Sequence, residues 1–133
     1  MAFQFSTAAR NAALDAIETT IGTAPTLEIR SGSVPANAAA ADSGTVLATL
    51  VLPSDWLAAA SNGSKALSGT WQDLSADAAG TAGHFRIKAA GTTHIQGSIT
   101  ATGGGGDMTL DNTSIASGQQ VVITSFTISA GGA

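Results

Sequence analysis

The chain contains no cysteine and no tyrosine, and over 133 positions only 5% of its residues are aromatic and 11% charged. Each scarcity excludes something. Without cysteine there is neither a disulfide framework nor a thiolate metal site, and the redox compartment is left open. Five Lys and Arg stand against nine Asp and Glu, for a formal net charge of −4. Phosphate contacts need clustered cations, so nucleic acid is not an expected partner. No apolar run approaches the ~20 residues that cross a bilayer, and no membrane partner is expected either. The opening MAFQFSTAARNAALDAIETT lacks a basic leader, and Asp15 and Glu18 interrupt its apolar residues. It reads as a cytoplasmically made chain without a secretory signal.

What is present is small and apolar: 44% of residues are hydrophobic, mostly Ala, Val, Ile and Leu. A single domain spanning 1–133 is expected, burying roughly two thirds of the surface that its unfolded chain exposes. Its core should be thin. A weakly charged exterior suits a surface that neighbours cover better than it suits a freely dissolved monomer.

Periodicity places one helix over 7–21. Ala9, Ala13, Leu14, Ile17 and Ile21 recur at helical spacing, with Asn11, Asp15 and Glu18 on the opposite stripe. Ser6 or Thr7 can cap its start and Gly22 can end it. Arg10 near the positive end and Glu18 near the negative end run against the helix dipole. Residues 1–6 read as an arm, in which Phe3 and Phe5 share one face and could add an edge strand to a neighbour.

After Pro25 the period changes to two. TLEIR alternates as a half-buried strand, SGSVPANAAAADSG reads as a loop, and TVLATLVLP reads as a central strand apolar on both faces. Trp56 and Trp71 flank an Asn62-Gly63 turn and are expected in the core. VVITSFTIS reads as one closing strand with Val122, Phe126 and Ile128 on one side. The total is seven or eight short strands after one N-terminal α-helix. That pattern points to a mainly β fold, an antiparallel sandwich or barrel of jelly-roll type.

Both histidines fall in HFRIKAAGTTHIQG, residues 84–97. As a hairpin this stretch must keep Phe85, Ile87, Ile95 and Ile99 on one side, because a one-residue slip would expose one set. With a three-residue loop Ala90-Gly91-Thr92, His84 opposes Ser98, Arg86 opposes Gln96, Ile87 opposes Ile95 and Lys88 opposes His94. His84, Arg86, Lys88 and His94 then form an outward, solvated or partner-facing surface. The two histidines lie roughly 13 Å apart along it, too far to share a zinc ion.

Other chemistry finds no support. There is no G-x-S-x-G elbow for a hydrolase. TGGGGD, residues 102–107, lacks the Lys-Ser/Thr pair of a phosphate loop and precedes a strand. Asp73, Asp77, Asp107 and Asp111 read as turn formers rather than as a calcium site. No cofactor, metal or catalytic residue is expected, and the chain does not read as an enzyme.

AARNAALDAI, TLEIRSGSVPANAAAADSGTVLATLVL, AGTAGHFRIK (79–88) and LDNTSIASGQ (110–119), with ASNG between them, follow one another in an order covering about Thr7 to Ser129. In these blocks the chain resembles small virion structural proteins of tailed bacteriophages and prophages. The resemblance implies a virion component without fixing its place in the particle; the expected role is a capsid decoration, or cement, protein on the outer surface of the head. Its partners would be the major capsid protein and other copies of itself in a homo-oligomer, expected as a trimer. Phe3, Phe5, Arg10, His84, Arg86, Lys88 and His94 would be the contact residues. A tail or neck component is the structural alternative, and a carbohydrate-binding module for host attachment is a third, with few rings for stacking on sugars.

Overall fold

The computed structural model describes residues 3–132 and is mainly β, with one N-terminal helix. Helix α1 spans Thr7–Ile21. The Ser6 side chain accepts the Ala9 N–H at its start, and Gly22, at φ 93°, donates its own N–H to the Glu18 carbonyl at its end. Both caps are the residues that the sequence nominates. Ten strands follow: β1 Thr26–Ser31, β2 Val46–Val51, β3 Ser64–Ala66, β4 Trp71–Asp73, β5 Gly80–Ala89, β6 Thr92–Ala101, β7 Met108–Leu110, β8 Ser114–Ile115, β9 Val121–Ile123 and β10 Thr127–Ser129.

The main sheet runs β2-β1-β5-β6-β7, and β8 pairs with the beginning of β5. Two short ladders, β3 with β10 and β4 with β9, complete the fold. All pairings are antiparallel except β6 with β7, which is parallel. Between those two, the glycine-rich 103–106 stretch turns through positive φ at Gly103 and Gly105.

Strand β2 is not central but an edge of the main sheet, and β1 and β5 lie inside it. β2 is apolar on both faces although it has only β1 beside it in the sheet, because the 73–78 segment covers its other flank. Thr49 N–H donates to Asp73, and the Asp77 and Ala78 N–H groups donate to the Leu47 carbonyl. The closing VVITSFTIS is two strands rather than one. Val121 and Ile123 point inward and Val122 is exposed, and Phe126 enters the core between them and β10.

The core is one cluster. Trp56 and Trp71 are fully buried, and an aromatic chain runs from Trp56 through Trp71 and Phe126 to Phe85, with ring centroids 5.5–6.1 Å apart. The indole N–H groups are satisfied: Trp56 donates to the Gly22 carbonyl, tying the helix end to the core, and Trp71 to the carbonyls of Trp56 and Ser68. Asn62 (φ 52°) and Gly63 (φ 73°) form the expected two-residue turn.

In the β5–β6 hairpin, His84 opposes Ser98, Arg86 opposes Gln96 and Ile87 opposes Ile95, as the side-chain pattern requires. Nearer the tip the register differs from the expectation. The loop is the two residues Ala90-Gly91, both at positive φ, so Lys88 opposes Thr93 and His94 is the extra residue of a bulge. A two-residue turn matches strand twist, and the bulge absorbs the odd residue that would have lengthened the loop.

Candidate functional site

The face of β5 expected to lie outward is covered. Residues 32–44, between β1 and β2, fold back as a strap across β1, β5 and β6. His84 is 0% and Arg86 1% exposed. Of the four hairpin residues taken for a surface, His94 alone is exposed; Lys88 is half-buried beside the strap. The alternation in HFRIK does mark two faces, but a long loop buries the polar one as well.

No residue from 31 to 45 is itself buried. The strap is held by polar groups rising from the sheet. Arg86 donates to the carbonyls of Asn37 and Ala40, to Asp42, to the Thr93 hydroxyl and to Gln96. Gln96 donates to the Pro35 carbonyl, Arg30 to the Ser43 carbonyl, and His84 Nδ1 lies 3.0 Å from the Gly32 carbonyl. Gly83 lets the strap in, since a Cβ there would strike the Gly32 backbone.

One strap carboxylate, Asp42, meets three cations: Arg30 at 3.3 Å, Arg86 at 2.9 Å and Lys88 at 2.6 Å. Glu28 on β1 pairs with Arg30 at 2.9 Å and Lys88 at 3.1 Å. The Lys88 hydrogen bond, assisted by Arg30 and Arg86 and opposed by partial burial, holds Asp42 below the usual aspartate value. Burial pulls the Lys88 ammonium down, but Asp42 and Glu28 outweigh it and leave it above the usual lysine value. Glu28, Arg30, Asp42 and Gln96 were not singled out by sequence. The available signal was Asp42, which ends an uncharged stretch long enough to return across the sheet.

A second ionic cluster fastens α1. Lys65 on β3 is buried and pairs with Asp15 at 2.7 Å and Glu18 at 2.9 Å. The Lys65 hydrogen bond lowers the Asp15 pKa; burial lowers that of Lys65, and its two carboxylates more than restore it, to above the lysine norm. Asn11 accepts the Gly63 N–H. The stripe read as the solvent side of the helix therefore faces, in large part, its own domain. Leu14 and Ile21 are buried as expected, whereas Ala9, Ala13 and Ile17 lie outside, Ile17 at 38% exposure.

Phe3 and Phe5 are exposed, at 78% and 49%, and meet edge to face with centroids 4.9 Å apart. They are not in a strand: Phe5 N–H donates to the Gly132 carbonyl, so this part of the arm lies along the chain's own C-terminal segment. Residues 1 and 2 of the arm lie outside the described residues. Arg10, expected to reach outward, is half-buried and lies over the Asn62-Gly63 turn, where a Cβ on Gly63 would collide with its Nη1. Among the described residues no group of three or more His, Cys, Asp or Glu is placed to hold a metal ion. The chain matches no family model, no curated protein and no solved structure.

Proposed function

We propose that this protein is a structural component of a tailed-phage virion, a decoration protein that binds the outside of the head as a symmetric oligomer. Many copies bridging adjacent capsid subunits would resist expansion of the shell by contact area alone. The sequence blocks that resemble small virion proteins supply the class. The observation that carries the reading is where the charge has gone. Among the described residues, four of the five Lys and Arg side chains are consumed in ion pairs inside the chain, and Arg10 lies over a turn. Their partners Asp15, Glu18, Glu28 and Asp42 are consumed with them. What remains outside is largely Ala, Gly, Ser and Thr, with the scattered carboxylates of Asp55, Asp77, Asp107 and Asp111 and the exposed Phe3, Phe5, Ile17, Val51, Leu74 and Val122. Such a surface desolvates cheaply when a neighbour covers it, because few charges must be stripped of water.

The deciding measurement is stoichiometry in purified particles by mass spectrometry. A decoration protein rivals the capsid protein in copy number; a scarce protein belongs at the neck or tail, and absence from particles rejects the virion reading. In the same system, deleting residues 2–5 should abolish incorporation while circular dichroism of the purified variant stays unchanged. Normal incorporation would remove the arm from the interface.

A further inference from the structure

Under the strap the ion pairs do not balance. Arg30, Arg86 and Lys88 face only Glu28 and Asp42, and among the described residues no other carboxylate pairs with them. One positive charge is therefore in surplus in a partly dehydrated place, where it acts over a longer range than it would in bulk water. Beside it opens a cavity of about 490 Å³, bounded by strap residues 38–42, Arg86, Lys88 and the hairpin tip at 91–93.

Donors remain at this spot. Lys88 spends two N–H groups on Glu28 and Asp42, leaving a third. The Thr93 hydroxyl accepts from Arg86 and still has its own proton to give. Arg86, at 1% exposure, has an Nε–H without an acceptor among the described residues. The present occupants of the cationic face show what it takes: neutral oxygens of carbonyls, an amide and a hydroxyl, and the carboxylates of Glu28 and Asp42.

We propose that this cavity is an anion site for a single carboxylate, held by Lys88 and Thr93 in the field of Arg86 and Arg30. Two sources share that chemistry. One is a small organic acid in solution. The other is an acidic side chain of a second copy, because Asp55, Asp73, Asp77, Asp107 and Asp111 have no cationic partner within the described chain. The site stands on its own geometry and does not require the virion reading.

The test is acetate titrated into the full-length protein at constant ionic strength against chloride, followed by amide and lysine-ammonium NMR. Shifts should concentrate at Lys88, Thr93 and strap residues 38–42, saturating in the millimolar range. Lys88→Gln should weaken binding about tenfold, and Glu28→Gln, which raises the surplus to two charges, should tighten it several-fold. The opposite signs separate site electrostatics from a general loss of fold. Shifts no larger than those in chloride, or equal affinity in all three proteins, would overturn the proposal. Sedimentation with and without acetate then distinguishes the sources: acetate dissolves a self-association that a second copy's carboxylate makes, and leaves the mass unchanged where the ligand is a small acid.

Discussion

The two faces of strand β5 are both buried but sealed by opposite means. On one face Phe85 meets Phe126, which leads on to Trp71 and Trp56, and Ile87 lies in the same buried apolar cluster. On the other, His84, Arg86 and Lys88 lie beneath a strap that contributes no buried residue of its own. Apolar burial is non-directional and scales with area, so the aromatic face tolerates small shifts. The strapped face depends on some ten directed hydrogen bonds and ion pairs, and such a network is strong only while complete. The same sheet thus has a robust side and a conditional one.

Replacing the centre of each face should expose that difference. Trp71→Ala removes a fully buried ring and leaves a cavity, and should cost about 3–5 kcal/mol of global stability. Arg86→Ala removes the group that reaches five strap and hairpin acceptors, and should cost about 3 kcal/mol. The profiles should differ more than the totals. In native-state hydrogen exchange, Trp71→Ala lowers protection throughout, whereas Arg86→Ala lowers it first in residues 33–43. Uniform loss in both variants would refute a separately fastened strap.

A smaller effect comes from pH, and the two partners fix its sign. The pKa of Asp42 lies below its reference of 3.8, so its ion pairs contribute fully above that reference and are lost as pH falls through the lower folded value. The pKa of Lys88 lies above 10.5, so its contribution is complete below that reference and fades as pH rises through the higher folded value. Protection of the strap, corrected for intrinsic exchange, should be flat between these limits and fall beyond each. Because the Asp42 side chain is 37% exposed, solvent screening holds its share to about 1 kcal/mol. Asp42→Asn should remove the acid limb and leave the aromatic face unaffected; an unchanged acid limb would mean that another group holds the strap.

These differences also explain what the sequence revealed. Helix α1 was legible to its caps because its signals are local: Ser6, Gly22 and a helical period between them. So was the pairing of Ile87 with Ile95, because alternation leaves one register that keeps both inside. Which stripe of the helix faces inward was not legible, because Lys65 lies fifty residues from Asp15 and turns two carboxylates toward the domain. The burial of His84 and Arg86 was hidden for the same reason. Nothing near them in sequence says that Asn37, Ala40 and Asp42 return to accept their hydrogen bonds. Pattern reports what a residue prefers; the covering segment decides what it gets.

The smallest expected effect is at the bulge, where the two halves of the hairpin register meet. Ile87 opposes Ile95 and Lys88 opposes Thr93, so His94 is a residue with no opposite number. Its side chain is exposed. Deleting it joins Thr93 directly to Ile95, and the two then alternate faces as Lys88 and Ile87 do opposite them. The inward set is unchanged. The deletion should therefore shift stability by less than about 1 kcal/mol and make the strand more regular. Deleting Gln96 instead should be far worse, since it removes the acceptor for Arg86 and the donor to the Pro35 carbonyl together. Comparing the two melting temperatures isolates the conditional face within three residues of chain. If deletion of His94 is as damaging as that of Gln96, the bulge is itself required, and the strap is fastened through hairpin twist as well as through Arg86.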